Sequence, residues 1–159
     1  MKVNMNKKDI IIAVSGHRQL KHSYNDVYNL TKSILLKINP ALVYQGCAIG
    51  FDQLVAKVCI DSGIPFVAAI PCEGQEKLWP EKVQEEYHEM LKHAREKVVV
   101  SKGKYHHGMM HKRNDYMIQQ ANYYVIYCDP NETTGGTKSF LDKVKNKKHI
   151  NIFSYLKSS

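Results

Sequence analysis

Long hydrophobic runs are missing from this sequence. Its apolar stretches are strand-sized, far short of the ~20 residues that a membrane-spanning helix requires, so no membrane partner is expected. The charged start, Met1 to Lys8, is not followed by an extended apolar segment. A signal peptide is therefore not expected, and the cytoplasm is the default compartment. The four cysteines, Cys47, Cys59, Cys72 and Cys128, include no C-x-x-C pair and no zinc spacing with histidine. Three of them lie in or beside apolar runs, which favours reduced thiols buried in a core.

Several signatures of particular chemistries are also lacking. Without Gly-x-Gly-x-x-Gly, a nicotinamide dinucleotide site is disfavoured. Without the lysine of a P-loop, hydrolysis of a nucleoside triphosphate is not implied. Neither His-Glu-x-x-His nor Gly-x-Ser-x-Gly occurs, which sets aside zincin-type and nucleophile-elbow chemistry. No cofactor and no metal are expected, although His106, His107 and His111 sit close together in a stretch that reads as a solvated loop.

What is present is an alternation. The chain has 159 residues, 43% hydrophobic and 24% charged, which suits one soluble globular domain with residues 1–8 as a flexible start. Asp9 to Val14 is a continuous apolar run, expected of a strand buried on both faces. Val27, Leu30, Ile34 and Ile38 then recur at helical spacing up to the stop at Pro40. The same exchange repeats. Strands are expected at 41–44, 64–70, 97–100, 123–128 and 149–153, with helices opening near Phe51, Val83, Met110 and Thr137. This predicts a single α/β domain, a Rossmann-like, doubly wound, mostly parallel sheet flanked by helices. Ligands of such sheets sit beyond the carboxyl ends of the strands.

The polar residues after the strands supply the candidates. Gly16, His17 and Arg18 end the first strand, and Arg18 offers a bidentate fork to phosphate or carboxylate. Gln45, Gly46 and Cys47 follow the second, and Asp52 lies in the first turn of the next helix. Pro71 and Glu73 follow the third strand, and Trp79 could cover a base. Met110, Arg113 and Asn114 share the fourth helix. Asp129 follows the fifth strand, and Gly135, Gly136 and Thr137 open the last helix as a phosphate cradle. Glu73 and Asp52 are the candidate acids for any proton transfer.

Together these segments resemble the SLOG superfamily, in its small stand-alone branch near the YpsA-like and DprA-like proteins of bacteria and phages. The matching runs are Gly16-His17-Arg18, Gln45 to Gln53, Ile64 to Gln75, Arg113-Asn114-x-x-Met117, and Asp129 with Gly135-Gly136-Thr137, in that order. The resemblance implies a Rossmann-like fold and a pocket for nucleotides or nucleotide-derived signals such as ADP-ribose. It places Gly16 and Arg18 at the first loop and Gly46 and Asp52 around the second. Arg113, Asn114 and Gly135 to Thr137 would hold phosphate or ribose. The related "Lonely guy" phosphoribohydrolases carry Pro-Gly-Gly-x-Gly-Thr-x-x-Glu. Thr134-Gly135-Gly136-Thr137-Lys138-Ser139-Phe140 is one glycine shorter and lacks that glutamate.

The expected function is therefore capture of a nucleotide-derived small molecule, as a sensor or a sequestering protein in phage defence or anti-defence. Cleavage of a nucleotide N-glycosidic bond is the alternative, and single-stranded DNA binding the second alternative. Nucleic acid is ranked last because the net charge of +8 is spread along the chain, without a basic stripe interleaved with aromatics on one element. A homo-oligomer, dimer or tetramer, is expected by the resemblance alone.

Overall fold

Strands buried on both faces must find helices on both sides, and the chain supplies them in turn. The computed structural model describes residues 9–157; the expected flexible start at 1–8 lies outside the described residues. In chain order the elements are β1 (Ile11–Gly16), α1 (Tyr24–Ile38), β2 (Leu42–Gln45), α2 (Phe51–Ser62), β3 (Phe66–Ile70) and α3 (Glu81–His93). They continue with β4 (Glu96–Val99), α4 (Gly108–Gln120), β5 (Tyr123–Tyr127), α5 (Gly136–Val144) and β6 (His149–Asn151), closing in a 3-10 turn at Ile152–Tyr155. α1 shows why the boundaries fall where they do. Ser23 caps it by accepting from the Asp26 amide at 3.1 Å, and Asn39 ends it in the left-handed region at φ 55°.

Most strand boundaries shift by one or two residues from the sequence reading, and two of the shifts have a visible reason. β1 runs on through Gly16 because its parallel pairing with β5 continues to Gly16 opposite Tyr127. β6 stops at Asn151, whose side chain accepts from the Phe153 and Cys128 amides and bends the chain into the 3-10 turn.

The six strands form one sheet in the order β4-β3-β2-β1-β5-β6, and every pairing is parallel. Alternate side chains face opposite layers. Ile12, Val14, Val125 and Tyr127 join Leu35, Phe51 and Leu54 of α1 and α2. Ala13, Tyr124, Ile126 and Cys128 join Met117 of α4 and Phe140 of α5. This is the doubly wound α/β architecture that the alternation predicts.

The order also locates the crevice. From β1 the chain steps outward through β2, β3 and β4, then returns across the sheet in α4 to place β5 on the other side of β1. The loops after β1 and β5 therefore diverge, which is where such sheets bind ligands. The two loops are knitted together. The Asp129 amide donates to His17 Nε2 at 2.8 Å, so that nitrogen carries no proton. Lys21 Nζ bridges Asp129 Oδ2 at 2.9 Å and Glu132 Oε1 at 3.0 Å. The Tyr127 hydroxyl accepts from the Lys21 amide at 2.9 Å and meets His22 Nδ1 at 2.7 Å.

Two measurements test this packing. Phe140 is fully buried where α5 meets the sheet, and Phe140→Ala should lower unfolding free energy by about 3–5 kcal/mol in denaturant titration. A loss under about 1 kcal/mol would contradict the placement of α5. Burial, followed by the Lys21 charge, holds the His17 imidazole below its ordinary value of 6.5. The unfolded chain then takes up a proton at His17 before the folded one does, so the stability it contributes above pH 6.5 is lost as pH falls below it. His17→Gln should accordingly flatten the decline in melting temperature between about pH 7 and 5, whereas an unchanged decline would count against a neutral, buried His17.

Candidate functional site

A cavity of about 350 Å³ opens at the β1/β5 divergence. Four segments build it: the end of β1 with its loop, the start of α2, α4, and the loop into α5. Of the residues singled out in the sequence, it brings together Gly16, His17, Arg18, Asp52, Met110, Arg113, Asn114, Gly135, Gly136 and Thr137.

Arg113 is the centre of this arrangement. It reaches in from α4, is 4% exposed, and is held from two sides. Its Nε donates to Asn114 Oδ1 at 3.0 Å, and its Nη1 donates to the Ala69 carbonyl of β3 at 3.2 Å. Its Nη2 meets only the Met110 sulfur, at 3.9 Å, a weak acceptor that leaves this end of the fork available to the cavity. Buried Asp52 faces the guanidinium across Gly46. A Cβ on Gly46 would lie 2.0 Å from Arg113 Nη1 and 2.9 Å from Asp52 Oδ2, so only glycine fits between the two groups. Burial pushes the Asp52 carboxyl above its usual range, while Arg113 and the Ala48 and Gly46 amides pull it back. Burial likewise weakens the hold of Arg113 on its proton and Asp52 opposes this, so the guanidinium stays charged.

The opposite wall is the start of α5. Gly135 stands at its N-cap with φ 103° and no side chain caps the helix. The first amides of α5 are thus free to meet an anion. Exposed Arg18 adds a second guanidinium at the mouth.

The remaining candidates lie elsewhere. Gln45 is buried behind the cavity, where its Oε1 accepts from the Cys47 amide at 2.5 Å and its Nε2 lies 3.0 Å from the Cys47 sulfur. Cys47 is fully buried, and burial pushes its thiol up to about 12, which keeps it protonated. Gly46 serves the Asp52–Arg113 approach rather than the lining. Pro71 is buried and accepts from the Ser101 amide. Glu73 is exposed and pairs with Lys97 at 3.2 Å, and Trp79 packs edge-on against Tyr87 of α3. Asp129 supports the site through Lys21 and His17.

Tyr105, His107, His111 and Glu132 line the cavity without having been singled out for it, and Thr134 joins them from the stretch that opens the last helix. Tyr105 follows β4, an edge strand, and nothing in its local sequence marks it as facing the β1/β5 crevice. The histidines could have been found, because His111 and Arg113 lie on the same short helix as Met110 and Asn114. Among the described residues no group of three His, Cys, Asp or Glu side chains is placed to hold a metal ion, and no helix is long and apolar enough to cross a membrane.

Solved structures share this fold at low identity. DNA processing protein A from Streptococcus pneumoniae superposes with a TM-score of 0.57 at 12% identity, covering 94% of this chain and 62% of that one. DNA processing protein A from Helicobacter pylori, described by its single-stranded DNA binding mode, superposes at 0.63 with 17% identity, over 89% of this chain and 64% of that one. The molybdenum cofactor carrier protein of Chlamydomonas reinhardtii superposes at 0.52 with 16% identity, over 89% and 74% of the two chains. The present chain thus spans under two thirds of either DNA processing protein. No curated protein matches it in sequence.

The low ranking of nucleic acid as a partner is corrected by these likenesses, since a single-stranded DNA binder is built on the same fold. The physical reason is that a basic stripe was sought along one element. Here Arg18, Arg113, Lys138 and Lys143 come from three separate segments and line adjoining cavities. In sequence, the family model for YpsA, described as the YspA SLOG family, matches residues 36–156, and the chain belongs to that family.

Proposed function

We propose that this protein binds a nucleotide or nucleotide-derived small molecule in the β1/β5 cavity, as a sensor or a sequestering protein. One observation carries the reading: the buried Arg113 fork, positioned on one side by β3 and Asn114, presents its weakly satisfied Nη2 to a cavity walled by the uncapped start of α5. A phosphate is the ligand group that such a fork and such a helix start suit together. The cavity's volume lies within the usual range for small-molecule sites, roughly 300–1,000 Å³. Tyr105 and Met110 supply apolar surface on which a base would lie.

Cleavage is a weaker reading. Asp52 lies behind Gly46 and accepts from two backbone amides, and Glu132 pairs with Lys21, so both carboxylates already serve the framework. Incubation with nucleoside monophosphates should therefore leave them intact by chromatography. Accumulation of free base would overturn the binding-only account.

Single-stranded DNA stands as a second reading, favoured by the fold shared with the Helicobacter protein. It predicts an affinity that falls steeply with salt, roughly tenfold or more over a modest range if several phosphates are contacted.

The direct test is calorimetric titration with adenosine 5′-monophosphate and ADP-ribose. Binding of at least one is expected. Arg113→Lys keeps the charge facing Asp52 but loses the planar fork, and should weaken binding about tenfold or more without unfolding the protein. Arg18→Ala and Tyr105→Ala should each weaken it roughly tenfold, while Tyr105→Phe should preserve it. Wild-type affinity in Arg113→Lys and Arg18→Ala together would remove the phosphate from this cavity.

A further inference from the structure

A second cavity, of about 670 Å³, adjoins the first. The two share His107, His111 and the Thr134-Gly135-Gly136 segment, so the boundary between them is two imidazoles and two glycines rather than a wall of packed side chains. The histidine rings stand edge to face with centroids 5.4 Å apart. Beyond them the outer face of α5 continues the lining with Lys138, Ser139 and Lys143. Both lysines are tied to surface carboxylates, Lys138 to Asp142 at 2.7 Å and Lys143 to Asp115 at 2.5 Å. These ion pairs are partly exposed, and exposed pairs of this kind contribute little, so a phosphate can replace either carboxylate cheaply.

The groove thus has a phosphate-binding wall, the uncapped start of α5, bordered by space on both sides. Arg113 lines the first cavity and not the second. We infer that the second cavity is a subsite for a second nucleoside unit joined to the first through phosphate, with the linking phosphate at Gly135–Gly136 and the distal part held along Lys138 and Ser139. This deepens the nucleotide reading and rests on it. The shared chemistry, two nucleosides bridged by phosphate, has two sources: a free dinucleotide and two adjacent residues of a DNA strand.

The test compares ligands of one and two units by calorimetric titration of the intact protein. The probes are adenosine 5′-monophosphate, di(adenosine) diphosphate, the 5′-phosphorylated dinucleotide pdApdA, and a dodecamer of deoxyadenylate. At least one two-unit probe is expected to bind tenfold or more tightly than the monophosphate. Lys138→Glu, at a half-exposed position on α5, is expected to abolish that gain while leaving the monophosphate affinity within about twofold. A gain for di(adenosine) diphosphate without one for the dodecamer assigns the free dinucleotide. A gain for pdApdA that grows in the dodecamer and collapses with salt assigns the strand. The inference is overturned if all three longer probes bind no more tightly than the monophosphate, or if Lys138→Glu weakens one-unit and two-unit probes alike. Should no probe bind, including the monophosphate, the underlying nucleotide reading fails first.

Discussion

A buried guanidinium and a buried carboxyl on either side of a single glycine organise the end of the sheet where the β1 and β5 loops diverge. Taking an ion out of water costs several kcal/mol even after relaxation, and the hydrogen bonds of Arg113 and Asp52, with the attraction between them, offset that cost. The Ala69 carbonyl and the Asn114 side chain take two of the guanidinium's donors, and the Gly46 and Ala48 amides support the carboxylate. The loop after β2 contributes Gly46, β3 contributes Ala69, α2 contributes Asp52 and α4 contributes Arg113. The bonds of Arg113 to Ala69 and Asn114, with Asp52 beyond Gly46, thus tie α4 to β3 and set it against the start of α2. The end of the guanidinium that this scaffold leaves weakly satisfied is the end that faces the cavity.

The second constraint is the knit between the β1 and β5 loops. Lys21 clasps Asp129 and Glu132, and His17 accepts from the Asp129 amide, so the loop leading to Gly135 is set relative to β1 before any ligand arrives. For the proposed nucleotide site, a loop ordered in this way reduces the ordering cost of binding. Asp129 and Glu132 are held in the same framework, and that is the ground for proposing retention of a ligand over its cleavage.

The alternation of apolar runs and amphipathic segments made the α/β class, the parallel sheet and most element boundaries legible, because burial on two faces and burial on one face leave different periodicities. The strand order was not legible. Gln45 ends β2, and Cys47, Pro71, Glu73 and Trp79 follow strands, as site residues should, yet β2 and β3 lie on the outward arm of the sheet and only the loops after β1 and β5 diverge. Tyr105 is the converse: it follows an edge strand, and the chain brings it back over the crevice on its way into α4. Arg113, read by itself, resembles any surface arginine on a polar helix. Its burial arises from Gly46 and Ala69, residues 67 and 44 positions away in sequence, and no local pattern encodes that meeting.

The most direct test of this account is a crystal structure of the protein with adenosine 5′-monophosphate. The account predicts the phosphate within hydrogen-bond distance of Arg113 Nη2 and the first amides of α5, with the base against Tyr105 and Met110. A nucleotide seated elsewhere on the surface, with Arg113 keeping only its bonds to Ala69, Asn114 and Met110, would contradict it and make the buried charge pair a structural brace alone.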